Sequence, residues 1–146
     1  MLKMRHVDHV GIRISDRERA VAFYECLGFE LIADGGFDQG HPLVMLHPSG
    51  ININLLGPAD AKAGENVLMD KPEKYPGITH IAIKMKSAED TEAFVNANDI
   101  AITGRREFRG TKTVFIRDPD RNVLELVGPG PSVAELIREH VHAGDA

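Results

Sequence analysis

HVGIRISDRERAVAFYECLGF, residues 9–29, is answered 71 residues later by HIAIKMKSAEDTEAFVNANDI, residues 80–100. Laying residues 9–58 over 80–129 without a gap gives ten identities in fifty positions, among them His9/His80, Ile12/Ile83, Phe23/Phe94, Phe37/Phe108, Leu55/Leu126 and Gly57/Gly128. Unrelated segments of average composition share roughly three. Conservative pairs such as Val10/Ile81, Ile53/Leu124 and Leu56/Val127 fill much of the remainder. The chain is an internal duplication, each copy one supersecondary unit.

Each copy reads as strand, helix and three strands. Val10, Ile12 and Ile14 alternate with His9, Gly11 and Arg13, which predicts a strand over Arg5–Ile14. Ser15 and Glu18 have capping-box spacing ahead of an apolar stripe of Ala20, Phe23, Tyr24 and Leu27, and Gly28 follows as a stop. Strands are expected near residues 29–33, 42–47 and 51–56. A stretch punctuated by Pro58, Gly64, Pro72 and Pro76 then reads as a linker over 59–77. The pattern restarts with a strand over 78–86, a helix capped by Ser87 and strands near 101–107, 112–117 and 123–127. Ser132 and Glu135 open a last amphipathic helix within 131–143. The expected class is α+β, as one two-unit domain. Tandem βαβββ units at 5–58 and 78–129 form a curled mixed sheet around a concave face, with a C-terminal helix added.

Composition narrows the function. The chain has 146 residues, 42% hydrophobic and 27% charged, with a net charge of −5. No segment concentrates basic residues as nucleic-acid binding requires. No apolar run reaches the ~18 to 20 residues of a membrane span. The polar N-terminus does not resemble an export signal, and a lone cysteine, Cys26, fits a reducing cytoplasm. Cys26 is expected to pack within the first helix.

Period-two alternation assigns the faces. Ile53, Leu55, Leu124 and Leu126 go under the helices, as do Val10, Ile12, Ile81 and Ile83. His9, His80, Asn52, Asn54 and Glu125 take the other face, together with Thr113, Phe115 and Arg117. Two imidazoles at equivalent repeat positions and one carboxylate on that face point to a divalent cation, because an unpartnered buried Glu125 would be costly. Arg105, Arg106 and Arg109 read either as contacts for an anionic substrate or as a charged edge strand.

The paired βαβββ units, Asp8-His9-Val10-Gly11-Ile12, Phe23-Tyr24-Glu25 through Phe29, Thr79-His80-Ile81-Ala82 and Asp118-Pro119-Asp120-Arg121-Asn122 before Leu124-Glu125-Leu126 together resemble the vicinal oxygen chelate superfamily. That superfamily includes glyoxalase I, extradiol dioxygenases, methylmalonyl-CoA epimerase, and fosfomycin-resistance and bleomycin-binding proteins. The resemblance spans about residues 5 to 129 and implies metal-ligand positions at His9, Asn54, His80 and Glu125. His9, His80 and Glu125 suit one divalent ion such as iron, manganese, nickel or zinc, with Glu125 also catalytic. Asn54 departs from glyoxalase I, where the matching acid moves the substrate's proton. Phe115 stands where dioxygenases carry a tyrosine, and Gly11 where fosfomycin-modifying relatives carry a threonine.

Two classes follow from the resemblance. One is a metal-dependent enzyme chelating neighbouring oxygens of a small molecule, with open-site dioxygenase-type chemistry slightly ahead of a glyoxalase-like lyase, isomerase or epimerase. The other is a metal-free small-molecule binding protein. Asn52, Asn54, Thr113, Phe115 and Arg117 are the expected substrate contacts. Relatives of this kind often pair units across a homodimer, and the linker has the length for it.

Overall fold

A computed structural model describes residues 1–60 and 64–144. Its first strand, β1 (Val10–Arg13), lies parallel to β4 (Asn52–Leu56), and between them in sequence come helix α1 (Arg17–Cys26), β2 (Glu30–Asp34) and β3 (Leu43–Leu46). Strand order is β1-β4-β3-β2. The second copy repeats it with β5 (His80–Lys84), α2 (Ala88–Ala97), β6 (Gly104–Phe108), β7 (Thr111–Arg117) and β8 (Val123–Val127) in order β5-β8-β7-β6, followed by α3 (Val133–Gly144). A parallel pair cannot be closed by a tight turn, so a helical crossover follows the first strand of each unit. The α+β architecture and both βαβββ units are those read from the sequence. The chain forms two compact units, residues 1–77 with 118–122, and residues 78–117 with 123–146.

Several local expectations shift. β1 is four residues long because its ladder with β4 runs only from Val10↔Ile53 to Arg13↔Leu56, and residues 1–9 are exposed. The cap of α1 is Asp16 rather than Ser15: the Asp16 carboxylate accepts from Arg19 N at 2.8 Å. Ser15 is drawn away by Asp120, to which both its hydroxyl and its backbone N–H donate. Ser87 caps α2 as expected, accepting from Asp90 N at 3.1 Å. The capping box of α3 closes reciprocally, Ser132 N to Glu135 Oε2 at 2.6 Å and Glu135 N to Ser132 Oγ at 3.2 Å. β6 starts at Gly104, three residues later than expected. Cys26 lies on α1 but is exposed, because it ends the helix away from the Ala20–Tyr24 stripe. Of the linker expected over 59–77, residues 61–63 lie outside the described residues. Farther along, Asn66 caps a turn by accepting from the backbone N–H of Leu68 and Met69.

The core of the first unit is Ile14, Ala20, Tyr24, Leu43, Met45, Ile53 and Leu55, all fully buried. A polar node sits beside it. Asp118 is 3% exposed, and its carboxylate accepts four hydrogen bonds of 2.9 Å. Oδ1 takes the backbone N–H of Asp120 and Asn122, while Oδ2 takes the Tyr24 hydroxyl and the Asn122 side chain. The Asn122 amide also reaches the Arg13 carbonyl at 3.0 Å. Four donors compensate a carboxylate taken out of water. Burial still pushes the Asp118 carboxyl above its ordinary value of 3.8, against the pull of Asn122 and Tyr24. Burial likewise raises the Tyr24 phenol well above its ordinary range, helped by the neighbouring Asp118 charge.

These bonds set a stability prediction. Tyr24→Phe leaves Asp118 one donor short and should cost about 1–2 kcal/mol in urea unfolding. The raised carboxyl binds its proton more tightly in the folded chain than in the unfolded one. Its contribution to stability is therefore complete below the ordinary value and declines as pH rises through the raised one. The stability difference between the native protein and Asp118→Asn should accordingly shrink as pH rises from the ordinary carboxyl value through the raised one. A difference that widens with pH would contradict the assignment.

Candidate functional site

The pairing of β5 with β8 decides which side chains meet. Ala82 lies opposite Glu125 and His80 opposite Val123, so His80 and Glu125 are diagonal neighbours on one face of the sheet. His80 Nε2 is 3.0 Å from Glu125 Oε2. The Glu125 side chain is only 14% exposed and the His80 ring 38%. At its other nitrogen, His80 Nδ1 is 2.8 Å from Thr79 Oγ1. Glu125 is the one carboxylate that the register places on this face of β5 to β8. Phe115 lies opposite Glu125 on β7, with Thr113 and Arg117 two residues to either side of it. Thr113 is 6% exposed.

The first unit carries the matching half. His9 stands just before β1, with Nδ1 2.6 Å from Asp8 Oδ1, and the hydrogen bond from this ring holds the Asp8 carboxyl below its ordinary range. Asn54, opposite Gly11 in the β1–β4 ladder, occupies the place that Glu125 takes in the second unit. Its Oδ1 is buried with no hydrogen-bond partner among the described residues. An orphaned acceptor of this kind costs about 1–3 kcal/mol until a donor or cation meets it. Asn52 is committed to the sheet, donating its amide to the Met45 carbonyl at 2.9 Å.

Among the described residues, no group of three or more His, Cys, Asp or Glu side chains is gathered to hold a metal. The structure does bring His80 and Glu125 together. Their donor chemistry, an imidazole nitrogen and a carboxylate oxygen, suits a divalent first-row ion. A 3.0 Å separation equals the edge of an octahedron whose bonds are about 2.1 Å. A polar neighbour at Nδ1 is the usual means of turning Nε2 outward as a ligand. Thr79 and Asp8 stand at that nitrogen of His80 and His9, and the sequence analysis did not single them out for it. The signal was available: a polar residue precedes each histidine at the same repeat offset. The arginine cluster is engaged internally. Arg105 binds Glu92 at 2.5 Å, Arg106 and Arg109 flank the Phe108 ring, and Arg109 donates to the Leu136 carbonyl.

Two βαβββ units, the second with a histidine and a carboxylate on neighbouring parallel strands, define a class, and comparison with known proteins agrees. The chain belongs to the Glyoxalase/Bleomycin resistance protein/Dioxygenase superfamily, whose model matches residues 6–126. A protein described as a probable chloroplastic lactoylglutathione lyase of Arabidopsis thaliana is 30% identical over 97% of this chain, which spans 41% of that relative's length. A glyoxalase family protein from Enterococcus faecalis superposes with a TM-score of 0.71 at 27% identity, covering 84% of this chain and 97% of the other. A lactoylglutathione lyase from Agrobacterium tumefaciens shares the fold, with a TM-score of 0.62 at 17% identity over 84% of this chain and 92% of its own. No helix among the described residues is long and apolar enough to cross a membrane.

Proposed function

We propose that this chain is a divalent-metal-dependent enzyme acting on a small molecule through two neighbouring oxygen atoms, with His9, His80 and Glu125 as protein ligands. The observation that carries this reading is the His80–Glu125 pair, 3.0 Å apart, with Thr79 at the far imidazole nitrogen. When bound, the ion would supply Lewis acidity to a pair of substrate oxygens. Iron, manganese, nickel and zinc all accept this donor set. Glu125 orients His80 and is the carboxylate placed to hold or take a proton at Oε2. Phe115 walls the site with a ring that has no proton to give. Thr113, Arg117 and Asn54 complete the substrate contacts, with Asn52 limited to its Oδ1 because Met45 holds its amide.

Asn54 bears on the reaction. A carboxamide is no base, so proton transfer of the glyoxalase kind has no second carboxylate at this position. Open-site, dioxygenase-type chemistry on a catechol-like substrate is therefore the reading we favour. The similarity to a probable lactoylglutathione lyase favours a lyase as the second reading. The single cysteine suits a reducing compartment such as the cytoplasm. We also propose a homodimer, for which the exposed Leu2, Met4, Val7 and Ile78 offer apolar surface.

Four outcomes are expected. Protein purified without chelators, or soaked with each of the four ions, should carry close to one metal per chain by elemental analysis. Glu125→Gln should weaken that binding at least about tenfold with an unchanged circular dichroism spectrum. Failure of all four ions to bind ends the metal reading. The iron(II) protein should consume oxygen with catechols, whereas isomerisation of the methylglyoxal–glutathione adduct without oxygen uptake would establish the lyase instead. Light scattering should return twice the 16.0 kDa chain mass; a monomer at micromolar concentration would refute the dimer.

A further inference from the structure

Burial rises along the face of the second sheet that carries His80 and Glu125. The His80 side chain is 38% exposed and the Glu125 side chain 14%. Thr113 and Lys84, each opposite Val127, form the next row on that face, and Thr113 is 6% exposed. Thr111, two residues nearer the start of β7, is buried as well. The chain that follows β8 covers these threonines. Gly130 (φ 120°) brings it so near β7 that a Cβ there would stand 3.8 Å from Thr111 Oγ1. Lys84 Nζ then donates to the Pro131 carbonyl at 3.1 Å. Arg109, in the turn between β6 and β7, donates Nη1 to the Leu136 carbonyl at 3.2 Å, and Leu136 is buried. Lys84 and Thr113 share the face of Glu125, so α3 lies on that face and not on the one that α2 packs against.

We propose that α3 is a cover that opens and closes over the Thr113 end of this face. Its hold is light. Among its described side chains Leu136 is the buried one, while Val133, Ile137 and Val141 are exposed. One leucine and two cation-to-carbonyl hydrogen bonds fasten it, and a segment held by so few buried contacts opens without unfolding the sheet beneath. Closed, α3 walls the site one row beyond Glu125. Two residues of strand separate Thr113 from Phe115, which lies opposite Glu125, leaving about 7 Å along the strand before the wall. That is the length of a single ring. A longer molecule held at His80 and Glu125 and lying along β7 needs α3 to lift, and Thr113 becomes a contact only then. The motion belongs to the second unit alone and does not depend on the metal reading.

The test is thiol labelling of the full chain by an aromatic disulfide reagent, with Cys26→Ser as background. Ala82→Cys lies in the Glu125 row of the same face, where Ala82 is exposed, and should react at close to the rate of a free thiol. Thr113→Cys should react at least about tenfold more slowly; Thr111→Cys serves if that variant fails to fold. Leu136→Ala should raise the Thr113→Cys rate at least about threefold and leave Ala82→Cys unchanged. Arg109→Ala, which frees the Leu136 carbonyl, should act in the same direction. The slow rate should be flat in low urea, because lifting one helix exposes little surface. Equal rates at the two positions would overturn the proposal. So would a slow Thr113→Cys rate that neither α3 variant changes, or one that climbs with urea as steeply as global unfolding.

Discussion

Parallel pairing of the first and last strands within each unit is the constraint from which the site follows. It sets β5 against β8 with Ala82 opposite Glu125, and that register leaves His80 diagonal to the carboxylate at hydrogen-bond distance. A slip of one residue would turn Glu125 toward the helix and Leu124 or Leu126 into the open, exchanging a compensated charge for a buried one. The apolar side chains beneath the helix hold the polar ones in place: Leu124 at 0% and Leu126 at 6% exposure hold Glu125 between them.

The loop after β7 shows a second use of a buried carboxylate. Asp118 organises residues 118–122 by accepting two backbone and two side-chain donors, and Ser15 is recruited to Asp120 of the same loop. Pro119 leaves the turn no amide of its own at that position to satisfy. The loop hands the chain to Val123, the first residue of β8, so its geometry sets where the strand carrying Glu125 begins.

Duplication supplied two copies of one unit, and they have diverged in opposite senses. On the polar face the second copy keeps histidine and carboxylate, while the first keeps histidine and a neutral amide. On the helix face the first copy sets Phe37 beside Gly57, while in the second the Lys112 carbonyl and Ala88 stand beside the equivalent Gly128. Few substitutions separate the two. Gly36 and Gly40 permit left-handed backbone that brings the loop inward; Glu107 and Thr111 favour extension.

The unit order, the strand and helix types and the polar faces were all legible in the chain itself, because hydrophobic periodicity and a repeat of 71 residues report local conformation and internal symmetry directly. His9, His80, Asn54 and Glu125 could be placed on one kind of face by alternation alone. Alternation carries no information about contact between strands far apart in sequence. Only the tertiary pairing decided that His80 meets Glu125, that Ser15 abandons its helix for Asp120, and that Tyr24 shares Asp118 from 94 residues away. The same holds for the two phenylalanines of the repeat. Equivalent in repeat position, Phe37 is buried and Phe108 half-buried between two guanidinium groups, since the path of the backbone, and not the side chain, determines which surroundings a ring can reach.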